Sequence, residues 1–289
     1  MTVRMPFRAG SFYEASPADC RRHASQLLDK AELPGDLPGV LFGGIVPHAG
    51  WVYSGRLAAT TFKALAVAGE VETFVLFGAD HTGTVQAGEV YDRGAWLTPV
   101  GEAAIDEELA AAIVAASPLL RSNPAAHSRE HSLEVQVPII QVLCPDAKIV
   151  PVAIPPADIA AQIGQAIGKV LAGKPAVGVV GSTDLTHHAG HFPAPGGRGV
   201  KGVQWTEAND RRMIGLMESL AAEKVIDEAD ALGNACGAGA VAATIAACRA
   251  MGATRGICLE YTNSYRVVHA AYPDDIDDTT VGYASVVFA

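Results

Sequence analysis

Charged residues are scarce in this 289-residue chain, 18% of the total against 49% hydrophobic residues. Disordered segments show the opposite balance, so disorder is excluded for most of the length. Basic residues are the scarcer sign, with 21 Lys and Arg against 31 Asp and Glu and a formal net charge of -10. That surplus repels phosphate backbones and anionic lipid, and predicts neither a nucleic-acid partner nor a membrane partner. Cysteine is sparse as well: Cys20, Cys144, Cys236, Cys248 and Cys258 are odd in number and contain no CxxC pair. A disulfide framework and a zinc ribbon are thereby disfavoured, and a reducing compartment fits. Long apolar runs are missing too. The opening MTVRMPFRAGSFYEAS carries Arg4 and Arg8 but no signal-peptide core, and the stretch from Ala231 to Cys248 is too weakly apolar to span a bilayer. A cytoplasmic location is the expectation.

What is present is an alternation of apolar runs with amphipathic stretches, the pattern of βαβ units stacked into a sheet. Strands are predicted at Val40–Val46, Thr73–Phe77, Lys148–Ala153, Ala176–Gly181, Gly256–Tyr261 and Gly282–Phe288. Helices are predicted at Pro17–Lys30, Arg56–Ala68, Ile105–Ala116, Leu133–Leu143, Asp158–Leu171, Thr206–Leu220 and Gly239–Met251. The piece PAPGGRGVKG, from Pro193 to Gly202, reads as a mobile surface loop. The expectation is a single α/β domain over residues 1–289, with a central mixed, mostly parallel sheet flanked by helices.

Three of the predicted strands deliver histidines at their carboxyl ends. Pro47-His48-Ala49-Gly50 follows LFGGIV, Gly78-Ala79-Asp80-His81-Thr82 follows TFVLF, and Ser182-Thr183-Asp184-Leu185-Thr186-His187-His188 follows AVGVVG. Ligands of open α/β sheets bind beyond these strand ends, so the exits can bring imidazoles together. Three unrelated histidines in surface loops are the alternative. Metal coordination is the commonest reason for neutral histidines to cluster. Among the thiols, Cys236 is the best further ligand, because it lies at a predicted helix start that would favour the thiolate. Cys144, Cys248 and Cys258 read as core residues, and Cys20 as an ordinary, partly exposed thiol.

A fourth cluster, His127-Ser128-Arg129-Glu130-His131, has the spacing HxxEH. On one helix it would form the site of an inverted zinc metallopeptidase. A helix start with a serine cap and Glu134 in the first turn is the competing reading. Gly237-Ala238-Gly239-Ala240-Val241-Ala242 approximates a dinucleotide fingerprint but follows no strand, and close packing through small residues explains it better.

At these motifs the sequence resembles the Memo family, whose bacterial and archaeal members are called AmmeMemoRadiSam system protein B. The resemblance runs through Ala9-Gly10-Ser11-Phe12-Tyr13, PHAGWVYSG at 47–55, His81, Thr98-Pro99-Val100-Gly101, EHSLEVQVP at 130–138, Ser182-Thr183-Asp184, Cys236-Gly237 and Val281-Gly282-Tyr283-Ala284-Ser285. It implies a fold shared with class III extradiol dioxygenases, which use non-haem Fe(II). It places metal ligands on His48, His81 and Cys236, further pocket residues on Asp184 and His187, and Glu130 and His131 beside the metal. The basic residue that the family often carries after its Cys-Gly pair is replaced here by Ala238-Gly239-Ala240. His188 and His191 exceed the usual pattern and read as solvent-facing.

The resulting expectation is a metal-dependent oxidoreductase of a small chelating substrate, with Fe(II) as the metal, copper second and zinc third. Asp184 and His187 would move protons, and His131, held by Glu130, would orient substrate or oxygen. The competing class is a non-enzymatic protein that uses the same pocket to bind metal or a peptide. The resemblance also implies association with a radical SAM enzyme and an AMMECR1-like protein.

Overall fold

Runs of consecutive apolar residues bury both faces of a strand, and that is where the interior strands of this protein form. The structure is a computed structural model that describes residues 2–174 and 176–289; Met1 and Pro175 lie outside the described residues. Its strands are β1 (Val3–Arg4), β2 (Gly43–Val46), β3 (Thr73–Gly78), β4 (Gly88–Val90), β5 (Ala95–Thr98), β6 (Gly101–Ala104), β7 (Leu120–Ser122), β8 (Lys148–Ala153), β9 (Val177–Ser182), β10 (His187–His188), β11 (Gly256–Asn263) and β12 (Thr280–Phe288). Its α-helices are α1 (Pro17–Asp29), α2 (Trp51–Ala68), α3 (Glu107–Ala115), α4 (Val137–Leu143), α5 (Ile159–Leu171), α6 (Val200–Glu218), α7 (Val225–Leu232), α8 (Ala238–Met251) and α9 (Ser264–Ala271).

Nine strands form one mixed sheet in the order β10-β12-β2-β9-β3-β8-β4-β7, with β11 also paired to β12. The four middle strands β2, β9, β3 and β8 run parallel. Towards the edges, β12 opposes β2 and β4 opposes β8. A three-stranded sheet, β1-β5-β6, stands apart. The α/β class with a mixed sheet flanked by helices is therefore observed, with parallel pairing at the centre of that sheet, at β4–β7, and at β1–β5 of the smaller sheet.

Helices cover both faces of the sheet. Successive residues of a strand point to opposite sides, and a methyl added at Gly43 would meet Cys248 of α8, whereas one at Gly44 would meet Thr61 of α2. Helix α8 packs closely on α5, where Gly164 and Gly168 lie against the backbone of Ala243 and Ala247. In the GxGxxA-like stretch itself, Gly237 lies against Ser182 O and Gly239 against Pro155 O, so its glycines allow a close approach to the strand exits.

Several boundaries differ from the sequence reading. Helix α2 begins at Trp51, well before Arg56, and α6 begins at Val200, inside the segment read as a loop. The predicted helix Leu133–Leu143 is a 3-10 turn, Glu134–Gln136, followed by α4, whose first turn holds Pro138. Proline needs no backbone donor there and has the right φ.

Candidate metal centre

The carboxyl ends of β2, β3 and β9 are neighbours in the sheet, and their exit loops meet. His48 leaves β2 and is fully buried. Its backbone N–H donates to Asp184 Oδ1 at 2.7 Å, which ties the β2 exit to the β9 exit. The Ser182 hydroxyl donates to Ser132 O at 2.9 Å, so its oxygen is free to accept from His48 Nδ1, also at 2.9 Å. That network fixes the proton on Nδ1 and leaves the Nε2 lone pair facing Cys236 Sγ, 3.1 Å away.

His81 leaves β3 at the mouth of the pocket, with 32% of its side chain accessible. Glu130 holds it twice: Oε2 accepts from the His81 backbone N–H at 2.8 Å, and Oε1 lies 3.0 Å from Nδ1. Glu130 Oε1 also accepts from Ser132 N at 2.8 Å, and Ser132 Oγ accepts from Ala79 N at 3.0 Å, which binds the 130–132 loop to the end of β3. This loop carries His131 inward. Its ring stacks on His81 at 4.7 Å and meets His48 edge-on at 5.5 Å. The nitrogens available for coordination on His48, His81 and His131 all lie within 4.8 Å of one another.

Cys236 arrives from the other side of the sheet, just before α8. Asp184 N donates to its sulfur at 3.3 Å, Cys236 N donates back to Asp184 O at 3.2 Å, and Gly237 N donates to Thr183 Oγ1 at 2.9 Å. The β9 exit therefore positions both His48 and the thiol.

Charge in the pocket follows from burial and these contacts. Burial lowers the pKa of His48, and burial with the neighbouring His81 charge brings His131 down to about 4. Burial opposes the His81 cation too, but hydrogen bonds to Cys236 and Glu130 outweigh it and hold the imidazolium up to about 10. Burial would raise the Glu130 carboxyl, yet its bonds to His81 and Ser132 keep it well below the usual range. Burial raises Asp184 to about 7 against the pull of the His48 and Ala49 backbone amides. His187 is lowered, mainly by burial; its Nδ1 lies 3.0 Å from Leu185 O and leaves Nε2 unpaired by that contact. The sequence reading expected a lowered Cys236 thiol. Burial raises it instead, although contacts with His81 and the Asp184 N–H pull the other way.

Three other readings are corrected. His127 and His131 share no helix: His127 ends a 3-10 turn, is buried against Tyr91 and Trp96, and bonds through Nε2 to Glu89 O at 2.8 Å. The geometry of an HxxEH peptidase is absent. His188 is buried under Trp205 rather than solvent-facing, because β10 pairs with β12 and turns it inward, whereas His191 is exposed as expected. Cys20 is fully buried on the inner face of α1.

Sequence reasoning overlooked the anchor of the N-terminal segment. Glu134, buried, accepts from the backbone of Phe7 and Arg8 and from the Tyr13 hydroxyl, and pairs with buried Arg4 at 2.8 Å. Arg4 in turn donates to His127 O and Glu130 O, both at 2.8 Å. This network lays residues 7–13 beside the histidines, with Phe12 edge-on to His131 at 5.0 Å. The signal was present in EHSLEVQVP, where a charged residue sits inside an apolar pattern.

A model of the Memo-like protein family matches residues 4–287. The chain belongs to the Memo-like family. A MEMO1 family protein of Methanopyrus kandleri is 36% identical over 99% of this chain and 98% of its own. One from Methanothermobacter thermautotrophicus is 38% identical over 91% and 94%, respectively. A crystal structure of an uncharacterized Escherichia coli K12 protein overlaps 75% of this chain and 85% of that chain, at 12% identity and a TM-score of 0.45. Within this Memo-like chain, His48, His81 and His131 form a cluster that could hold a metal ion. Among the described residues, no helix is long and apolar enough to cross a membrane.

Proposed function

We propose that this protein is a metal-dependent oxidoreductase acting on a small chelating substrate, with Fe(II) held by His48, His81 and Cys236. The observation that carries this reading is the difference among the three imidazoles. His48 and His81 are each oriented through Nδ1, by Ser182 at 2.9 Å and Glu130 at 3.0 Å, as coordinating histidines are. His131 has no such support: its Nδ1 is 3.7 Å from Glu130 Oε1. Cys236 stands at 3.1 Å from His48 Nε2 and completes a donor set of two nitrogens and one sulfur. Such a set suits iron, copper or zinc, and a bound metal would supply open positions for dioxygen and a chelating substrate.

The chain's own residues then divide the remaining work. His131, neutral above about pH 4, faces the other two rings and can accept a proton from an entering hydroxyl. His187, also neutral, offers Nε2 as a second acceptor. Asp184, raised to about 7 by burial, couples the His48 turn to the Cys236 loop, its Oδ1 accepting from the His48 backbone N–H and its own backbone N–H donating to the Cys236 sulfur.

Verified Fe(II)-loaded protein should consume dioxygen with one member of a screen of catechols, hydroxy acids and thiols. His131→Ala and His187→Ala should retain metal and lose at least about tenfold in uptake rate, the usual scale for a lost acid–base group being 100-fold or more. No consumption above that of free iron would overturn the oxidoreductase and leave a metal- or peptide-binding protein.

A further inference from the structure

We propose that Arg8 recognises a carboxylate on the substrate of this pocket, so that the substrate class is a chelating organic acid rather than a neutral chelator. The inference rests on the metal-site reading above. Arg8 lies on the N-terminal segment that Glu134 pins beside the histidines, and its guanidinium carbon sits over two rings, Phe7 at 4.6 Å and Phe12 at 4.9 Å. Phe12 is the ring that meets His131 edge-on at 5.0 Å.

Every other charge around the histidines is already engaged. Glu130 is consumed by His81 and Ser132, Glu134 by Arg4, Tyr13 and two backbone amides, and Asp184 by the His48 turn. Arg8 alone has no carboxylate or carbonyl partner for its side chain among the described residues, and its Nε is sealed from solvent without an acceptor. The outer nitrogens Nη1 and Nη2 are neither sealed nor partnered, so they are the donors that a ligand can reach. The planar fork of Arg8, held by two aromatic faces, matches a planar carboxylate in a two-point contact.

The test uses the zinc-loaded full chain, which binds without redox turnover, and two probes that share a chelating end: catechol and 3,4-dihydroxybenzoate. Calorimetry should show the carboxylated probe binding about tenfold tighter or more to the native protein, the scale of a charge-assisted bond. In Arg8→Gln that preference should vanish with catechol affinity within twofold, and Arg8→Lys, which keeps the charge but not the fork, should fall between. Zinc content and circular dichroism establish that each variant is loaded and folded. No preference in the native protein, an undiminished preference in Arg8→Gln, or no binding of either probe to loaded protein would overturn the inference. A native protein that takes up no zinc would instead overturn the metal site itself, and a failed dioxygen screen would leave the Arg8 result standing.

Discussion

At the scale of single residues, the pocket is a set of histidines made unlike one another by what touches Nδ1. Glu130 is the residue on which that difference turns. Its carboxylate is kept ionised by His81 and Ser132, and with Cys236 it holds His81 protonated up to about pH 10 in the metal-free protein. With the proposed ligands, metal binding at neutral pH displaces a proton from His81 and another from the Cys236 thiol, whose pKa burial raises. Affinity should rise as pH increases from 5 to 9, and calorimetry in buffers of different ionisation enthalpy should register release of about two protons per metal at pH 7.5. Glu130→Gln should release fewer protons and weaken metal binding by about 10–100-fold, the usual cost of losing the partner of a ligating histidine. Unchanged affinity would show that Glu130 does not serve the metal.

At the scale of elements, the site is the meeting of three parallel strand exits with the start of α8. That start is set by Gly237, where a Cβ would lie 2.2 Å from Ser182 O, so the chain before α8 touches the end of β9. Gly237→Ala must push the Cys236 loop off β9. We expect a loss of about 1–3 kcal/mol in unfolding free energy, typical of overpacking, together with weaker metal binding at the thiol; denaturant titration and metal titration check the two. The corresponding change at Gly69, where an added Cβ meets nothing, should leave metal binding alone. The strands and helices that build this meeting point were legible because β3, β8, β9 and β12 are mostly apolar segments of six to nine residues. Among the strands of two to four residues, β2 was legible within the run Val40–Val46, but β1, β4 to β7 and β10 were not, since so short a segment shows no period and forms only against its neighbour. His48 and His81 were legible as strand-exit residues. The side-by-side placement of Arg8, Phe12 and His131 was not, because it depends on Glu134 reaching over a hundred residues back to the N-terminal segment.

At the scale of the whole molecule, β12 pairs with β2 in the main sheet, and residues 4–13 are pinned through Arg4 and Glu134 next to the pocket. Acid should strain this arrangement through buried neutral histidines that lie outside the pocket as well as in it. His127, buried and brought to about 4 chiefly by burial, binds its proton less readily folded than unfolded. Its stabilising contribution is therefore complete above the unfolded value near 6.5 and is lost as pH falls from there towards 4, of order 3 kcal/mol in all. His127→Gln, which can still donate to Glu89 O, should show a correspondingly shallower fall in unfolding free energy over that window; an identical slope would mean that other groups carry the acid response. All of these effects converge on one structural assertion, that a single ion is shared by two strand-exit imidazoles and the thiol before α8. X-ray absorption on the Fe(II)- or zinc-loaded protein addresses it most directly. The expected spectrum has one sulfur neighbour at about 2.3 Å beside nitrogen neighbours at about 2.0–2.2 Å, with the sulfur lost in Cys236→Ser and retained in His131→Ala. A shell of nitrogen and oxygen alone in the native protein, with a nitrogen lost in His131→Ala, would contradict it and assign the metal to His48, His81 and His131.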